Sequence, residues 1–225
     1  MAHAADAIAD FHDDAFRVRC AVLDGLLGDF ARRGWTPATS SNFSFRMGAD
    51  RCAVTASGGD KSSVTPENLI VTNTDGTVIA SAEGRRPSAE AGLHQALYRR
   101  DANIGAVLHT HAQRAVLAAR VLRARPITLV GYELLKAFTG IDTHEASLPV
   151  PVVANDQDIE RLAASADAAL DAAPGAWAYL IEGHGLYAWG ADLTDAARHL
   201  EALDYLLGLE LELARHSAST ERNTP

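Results

Sequence analysis

Cysteine is scarce in this sequence: Cys20 and Cys52 are the only two among 225 residues. Two cysteines are too few for the disulfide framework that holds many small secreted proteins together. The packing of a hydrophobic core must therefore stabilise the fold. Because Cys20 lies in a helical pattern and Cys52 in a strand-like one, we expect both thiols to be buried and without a catalytic role.

Long hydrophobic runs are also missing. The apolar stretches fall well short of the roughly 20 residues that a transmembrane helix needs. The amino-terminal segment MAHAADAIADFHDDAF lacks the basic start and the hydrophobic middle of a signal peptide. The sequence therefore predicts a cytoplasmic protein with no membrane partner.

Basic residues are fewer than acidic ones: 20 Lys and Arg residues against 29 Asp and Glu residues give a net charge of −9. A nucleic-acid partner requires a concentrated basic surface, and no run of Lys or Arg provides one. The composition therefore argues against nucleic-acid binding. A small anion such as a phosphate group remains a suitable ligand, because backbone N–H groups and one cation can hold it.

The hydrophobic pattern that is present predicts one mixed domain over residues 1–225. Apolar residues at three- and four-residue steps predict a helix over 6–33 that ends at Gly34. The β-prone segments NFSFRM, CAVTA and LIVTN follow, and the Asp75-Gly76 turn precedes TVIA. These features predict an antiparallel sheet that is rich in hairpins.

The second half of the sequence alternates helical and strand patterns. Pro87 is expected to start a helix that runs to about residue 100, and GAVLHTH is expected to form a buried strand before an Ala-rich helix. Asn155 can cap another helix, and a final helix is predicted over 194–215 before a disordered tail, 216–225. Helices around a largely antiparallel central sheet indicate an α/β fold with three α/β/α layers.

Three histidines form the strongest candidate site. His109 and His111 are one residue apart in a predicted strand, so both imidazoles emerge on the same face. His184 lies between two glycines in IEGHG, where small neighbours allow close approach. Three neutral imidazoles with an open fourth position are typical of catalytic zinc. From these residues alone, a shared metal and ordinary structural roles for the three histidines both remain open. His199, by contrast, is expected to lie on the surface of the protein.

Five motifs occur in a fixed order: SSNFSFR, TASGGDKS, RPSAE, VLHTH and IEGHG. Over about residues 17–210 this order resembles the class II aldolase and adducin superfamily, which includes sugar-phosphate aldolases and ribulose-phosphate 4-epimerase. The resemblance implies a class II aldolase-like fold and a homotetramer with active sites between subunits. It also implies that one Zn²⁺ per subunit is bound by His109, His111 and His184.

A glycine-rich loop, TASGGDKS, follows a predicted strand and can direct several N–H groups at a phosphate, with Lys61 nearby. By itself the loop favours a plain Gly-Gly turn over a phosphate site. The resemblance implies that four residues hold the phosphate of a sugar phosphate: Asn42, Ser57, Gly58 and Ser88. The chain departs from the aldolase pattern at Ser41, commonly Gly, and at Ala89, commonly Ser, which removes one expected hydroxyl contact.

Two glutamates are candidates for proton transfer, although each opens a predicted helix, where a carboxylate also has a structural role. The resemblance implies that Glu90 is a base close to the metal. The pattern that begins at Glu133, with the LPVP and HGLYAWG segments, resembles the methylthioribulose-phosphate dehydratase branch of the superfamily. That branch implies that Glu133 is the general acid/base and that Glu90 is its partner or alternate.

The same branch implies dehydration of 5-methylthioribulose 1-phosphate to a 2,3-diketone phosphate in methionine salvage. A carboxylate removes the C3 proton, and loss of the C4 hydroxyl requires a proton donor. The alternative is an aldolase or a 4-epimerase, in which a tyrosine or aspartate from a neighbouring subunit typically transfers the final proton. A non-catalytic adducin-like scaffold is the distant alternative, and such a chain would be expected to lack the three histidines.

Overall fold

A large sheet forms the centre of the structure, a computed structural model that describes residues 13–122 and 125–222. The described residues form ten strands: β1 (Asn42–Arg46), β2 (Arg51–Thr55), β3 (Leu69–Asn73), β4 (Val78–Ala80), β5 (Ala106–Thr110), β6 (Ile127–Val130), β7 (Ser147–Val150), β8 (Val152–Val153), β9 (Ala178–Ile181) and β10 (Gly185–Gly190). Eight of them follow the order β4-β3-β2-β1-β5-β10-β9-β8, while β6 and β7 pair separately. Only the β8–β9 pair is parallel among these strands, so the predicted antiparallel sheet is confirmed.

Helices cover both faces of the sheet. The α-helices within the described residues are α1 (Asp14–Arg32), α2 (Ala91–Arg100), α3 (Gln113–Val121), α4 (Ile159–Asp171) and α5 (Leu193–Arg222). Ala106 and Leu108 of β5 belong to the core cluster that includes residues of α1, α3 and α5, whereas Val107 belongs to the cluster with α2 and α4. Alternate residues of one strand therefore serve opposite faces. This arrangement confirms the predicted three-layer fold.

The first helix shows how local sequence sets an element. The Asp13 side chain accepts a hydrogen bond from the Phe16 backbone N–H at 2.7 Å, which caps the helix. Gly34 follows the end of the helix, as predicted, and this glycine adopts a φ of 72°. The buried stripe consists of Phe16, Cys20, Leu23, Leu27 and Phe30. Both cysteines are buried, as predicted, and the predicted start of the helix at residue 6 lies outside the described residues.

Three predicted helix boundaries were wrong. Helix α2 begins at Ala91, because Pro87 instead forms an isolated antiparallel bridge with Ala56. Helix α4 is capped by Asp158 rather than Asn155, since the Asp158 carboxylate accepts two backbone N–H groups. Helix α5 continues through 216–222, where the sequence predicts disorder, because that stretch contains no glycine or proline.

None of the described helices is both long enough and apolar enough to cross a membrane.

Candidate metal centre and active site

A row of polar and aromatic side chains crosses four neighbouring strands on the face covered by α2 and α4. Asn42 lies opposite His109, which in turn lies opposite Tyr187. Tyr187 lies opposite Tyr179. The Tyr187 ring stacks on the His109 ring with centroids 4.1 Å apart and an interplanar angle of 16°. The register of the sheet therefore fixes the position of His109 from both sides.

The three predicted histidines come together around His109 of this row. One ring nitrogen from each of His109, His111 and His184 lies within 4.8 Å of the others. The Nε2 atoms of His109 and His111 are 3.0 Å apart. Two nitrogens bound at 2.0–2.1 Å to a tetrahedral ion are about 3.3 Å apart, so this spacing fits two ligands of one metal. The three histidines could hold a divalent metal.

Hydrogen bonding and burial prepare these imidazoles to act as ligands. His109 Nδ1 lies 3.1 Å from the Leu186 carbonyl oxygen, which places the ring hydrogen on Nδ1 and leaves the Nε2 lone pair free. Burial lowers the pKa of His109 well below its ordinary value, despite the nearby Glu90 carboxylate. Burial also lowers the pKa of His111. A neutral imidazole is the form that binds a metal.

Gly185 leaves the space that the histidines occupy. A Cβ atom at this position would lie 2.3 Å from the Thr110 carbonyl oxygen and 2.9 Å from His109 Cε1. Backbone and ligand ring would both have to move to accept a methyl group. The small residue beside His184 is therefore required by the close approach of β5 and β10.

We expect Gly185→Ala to weaken metal binding by at least about tenfold, because it displaces the His109 ring that the sheet holds in place. Metal content after dialysis against a graded chelator measures this effect. Gly25→Ala is the matched control, since no atom lies within 4 Å of the added methyl group. That control should keep its metal and gain about 0.5–1 kcal/mol of stability in the α1 helix. Equal metal affinity in the two variants would refute the steric argument.

Glu90 occupies the cap position of α2, yet its side chain makes no capping hydrogen bond. The carboxylate turns to the histidines instead, with Oε1 3.0 Å from His184 Nε2 and Oε2 3.4 Å from His109 Nε2. Oε2 accepts hydrogen bonds from Asn42 Nδ2 at 2.8 Å and from the Tyr187 hydroxyl at 3.0 Å. The structure thus brings two of the predicted site residues, Asn42 and Glu90, to the histidine cluster.

The environment of Glu90 favours the ionised form. Burial by itself raises the pKa of this carboxyl group, but the hydrogen bonds from His184 and Asn42 lower it. The net pKa lies well below its usual range. An ionised carboxylate beside three imidazoles can accept a proton or a hydrogen bond from a bound ligand.

The predicted phosphate-binding segments lie side by side. An isolated bridge joins them, and the Ser57 backbone N–H donates to the Arg86 carbonyl oxygen at 3.0 Å. Gly58 adopts a φ of 73°, a conformation that favours glycine. The Ser88 hydroxyl accepts a hydrogen bond from the Glu90 backbone N–H at 3.3 Å. The Ser88 segment therefore adjoins Glu90 and the Ser57 segment pairs with it, while phosphate binding itself stays a prediction.

The Lys61 side chain forms hydrogen bonds with the backbone of the glycine-rich loop that contains it. Its side chain is buried, and Nζ donates to the carbonyl oxygens of Ala56 at 3.2 Å and Gly59 at 3.0 Å. Burial lowers the pKa of this lysine. These contacts give Lys61 a role in holding the glycine-rich loop, and its predicted contact with phosphate stays a prediction.

Glu133 is the predicted site residue that the structure does not bring to the histidines. Its side chain is 72% exposed and pairs with Lys136 Nζ at 2.6 Å and with His144 Nδ1 at 3.9 Å. Within the part of the chain that the structure describes, none of its ion pairs reaches the histidine cluster. Glu133 borders a groove between the short helix Glu133–Ala137 and α5, where Tyr205 is 55% exposed.

Sequence reasoning missed three buried polar residues behind Glu90: Ser44, His94 and Tyr98. The sequence does contain a pattern that groups these residues. Glu90, His94 and Tyr98 recur at every fourth position and so share one face of α2. Asn42 and Ser44 alternate on β1 and share one face of that strand. Only the packing of α2 on β1 shows that the two faces meet.

His199 was predicted at the surface and is in fact fully buried. Its Nδ1 lies 2.7 Å from the Trp189 carbonyl oxygen, and its Nε2 accepts the Thr139 backbone N–H at 3.2 Å. Its ring stacks on Phe138 with centroids 5.1 Å apart. The error arose because α5 packs across the sheet and buries a polar position that its sequence pattern presents as exposed.

Comparisons with known proteins agree with this geometry. The Class II Aldolase and Adducin N-terminal domain family matches residues 26–211. Methylthioribulose-1-phosphate dehydratase of Xanthomonas euvesicatoria pv. vesicatoria (strain 85-10) is 52% identical over 195 residues, covering 86% of this chain and 88% of that protein. The protein of the same name from Xylella fastidiosa (strain 9a5c) is 49% identical over 205 residues, covering 90% of this chain and 93% of that protein.

The solved structure of an enzyme named for a different activity is also similar. L-fuculose-1-phosphate aldolase from Thermus thermophilus superposes with a TM-score of 0.69 and 26% identity, covering 90% of this chain and 98% of that chain. The family predicted from five ordered motifs is therefore confirmed by sequence and by fold. The chain belongs to the class II aldolase and adducin family.

Proposed function

We propose that this protein is a lyase that dehydrates 5-methylthioribulose 1-phosphate to 5-methylthio-2,3-diketopentyl 1-phosphate in methionine salvage. The observation that carries the proposal is the cluster of three histidines and Glu90. The cluster occurs in a chain about half identical, over most of its length, to two proteins named methylthioribulose-1-phosphate dehydratase. An adducin-like scaffold would not need this cluster, and its presence weighs against that alternative.

Zinc is the metal that we propose for His109, His111 and His184. Three imidazoles, one of them oriented by the Leu186 carbonyl oxygen, form the donor set that zinc favours in catalytic sites. A bound divalent cation would polarise the C2 carbonyl group of the substrate and make its C3 hydrogen more acidic. Imidazole also binds Fe, Ni, Co and Mn, so the metal content of the purified protein must be measured.

The proton transfers fall to the two glutamates. We assign the acid/base role to Glu133, whose pKa is lowered by the hydrogen bond and charge of Lys136 and which is therefore ionised at the start. It takes the C3 proton as the C3–C4 double bond forms, and it returns that proton to the departing C4 hydroxyl, which leaves as water. The enol product tautomerises to the diketone. Glu90, held by Asn42 and Tyr187, is its partner at the histidines.

The exposed position of Glu133 fits its acid/base role if the protein is a homotetramer with active sites between subunits. Leu134 is 39% exposed and Tyr205 is 55% exposed, and both line the groove beside Glu133. A neighbouring subunit would cover these apolar surfaces and bring its own histidines toward Glu133. We therefore propose that the protein is a homotetramer and that it is located in the cytoplasm, as the sequence predicts.

Product analysis tests the function directly. Zinc-loaded protein is incubated with methylthioribulose 1-phosphate and, separately, with fuculose and ribulose phosphates, and the products are identified by mass spectrometry. Loss of one water molecule from the first substrate alone is expected. Triose and aldehyde fragments would indicate an aldolase, and an isobaric product would indicate an epimerase. Absence of all turnover by a folded, metal-loaded protein would reject the enzymatic proposals.

Glu133→Gln is expected to lower kcat by about 10²- to 10⁴-fold, the range for loss of a general acid/base. If Glu133 serves the neighbouring subunit, mixing this variant with His111→Ala under conditions that exchange subunits should restore part of the activity. Some interfaces then combine an intact Glu133 with intact histidines. The exposed Glu145 on the same segment provides the control, and Glu145→Gln should keep full activity. Mixed oligomers without any recovery would contradict action across subunits.

A further inference from the structure

His94 is a fully buried imidazole behind the histidine cluster, and the mechanism above gives it no role. Its ring meets the edge of the Tyr187 ring, with centroids 5.5 Å apart. Neither of its nitrogens belongs to the group that could hold a metal. The two nitrogens instead contact side chains on β1, Asn42 on one side and Ser44 on the other.

A continuous series of hydrogen bonds runs from Glu90 through His94 to Tyr98. Asn42 Nδ2 donates to Glu90 Oε2 at 2.8 Å, and Asn42 Oδ1 contacts His94 Nε2. On the other side of the ring, His94 Nδ1 lies 2.7 Å from Ser44 Oγ. Ser44 Oγ lies 2.8 Å from the Tyr98 hydroxyl oxygen. The four residues beyond Glu90 are all buried, so the protein itself must satisfy these polar groups.

The Asn42 amide sets the direction of each hydrogen bond in the series. Asn42 directs its NH₂ group to Glu90 Oε2, which also accepts the Tyr187 hydroxyl, and directs its carbonyl oxygen to His94. An amide oxygen only accepts hydrogen bonds. His94 Nε2 must therefore carry a hydrogen. A charged ring is disfavoured at this buried position because the ring contacts an amide oxygen and a hydroxyl group rather than a carboxylate. In the neutral ring, Nδ1 accepts from Ser44, which accepts from Tyr98.

We propose that His94 is a positioning residue whose Nε2–H group fixes the Asn42 amide and thereby orients the Glu90 carboxylate toward the three histidines. Without this donor, the Asn42 amide is free to turn over and direct its oxygen at Glu90. Two oxygen atoms that only accept hydrogen bonds would then repel each other, and the carboxylate would turn away. The kinetic consequence rests on the proposed dehydration, whereas the hydrogen-bond arrangement does not.

The tautomer of His94 can be measured in the zinc-loaded wild-type protein without any assay of activity. Nitrogen-15 NMR of the histidine side chains reports which ring nitrogen carries hydrogen, and His94→Leu assigns the signal. The neutral ring with hydrogen on Nε2 alone is expected. Hydrogen on Nδ1 alone would overturn the proposal, because Nε2 would then have no hydrogen to donate to the Asn42 carbonyl oxygen.

Kinetics of matched variants test the consequence. His94→Leu should lower kcat by about 10- to 100-fold, the loss typical when a group that orients a site residue is removed. KM and zinc content should stay close to those of the wild type. His94→Gln retains an N–H donor for Asn42 and should recover most of the lost rate. His199→Gln is the control, since His199 is equally buried but bonds to Trp189 and Thr139.

Two kinetic results would overturn the positioning role. One is equal impairment of His94→Gln and His94→Leu, and the other is a loss of activity that follows loss of zinc or of folded protein. If the wild-type protein does not dehydrate methylthioribulose 1-phosphate, the proposed function fails. The NMR measurement still decides the role of His94 in that case.

Discussion

Purified His111→Ala protein is expected to contain almost no zinc and to lose dehydration activity by about a thousandfold or more. Two imidazoles without the third hold a divalent ion weakly, and the stabilisation of developing charge that the ion supplies is about 4 kcal/mol. His111 is the best of the three to replace, because it follows the end of β5 and is only half-buried. His109, by contrast, is fully buried and stacked on Tyr187.

Elemental analysis of the purified variant measures the metal, and thermal unfolding measures the fold. The melting temperature of metal-free His111→Ala should match that of the metal-free wild type, which separates ligand loss from misfolding. His216→Ala, an exposed position near the end of α5, serves as the control and should bind metal normally. A His111→Ala protein with a full complement of metal and normal activity would mean that the three histidines do not share an ion.

Glu90→Gln is the second change with a large expected effect, a fall in kcat of about 10²- to 10⁴-fold with zinc retained. The variant fits the site, because Asn42 and Tyr187 both donate to Oε2, and an amide oxygen at that position accepts the same two hydrogen bonds. Only the negative charge and the proton-accepting oxygen near His184 are lost. The measured change therefore reports chemistry rather than packing.

Steady-state kinetics separate the possible roles of Glu90. A lower kcat with little change in KM indicates an interaction made in the transition state, whereas a higher KM alone indicates substrate binding. Glu83→Gln, on an exposed turn before α2, should leave both constants unchanged. If Glu90→Gln keeps more than half of the wild-type kcat, the carboxylate does not transfer a proton and has only a structural role beside the histidines.

The amino-acid sequence by itself determined the fold class, the family and the three candidate metal ligands. These depend on short-range features: the two-residue period that puts His109 and His111 on one face, the glycines beside His184, and the order of five motifs. The sequence also located most helices and strands. It misplaced the start of α2, which depends on the bridge between Pro87 and a distant segment, and the cap of α4, which is Asp158 rather than Asn155. It also placed the end of α5 too early.

Only the tertiary structure decided which polar groups meet. Asn42 and Glu90 are 48 residues apart in sequence, and Tyr187 and Glu90 are 97 apart, yet both pairs are hydrogen-bonded. The tertiary structure also decided that His94 lies behind the site and that Glu133 pairs with Lys136 and His144 rather than with the three histidines. The physical reason is that these contacts depend on the register of the strands and on how α2 packs against the sheet. Both follow from packing across the whole core, which no local pattern of residues encodes.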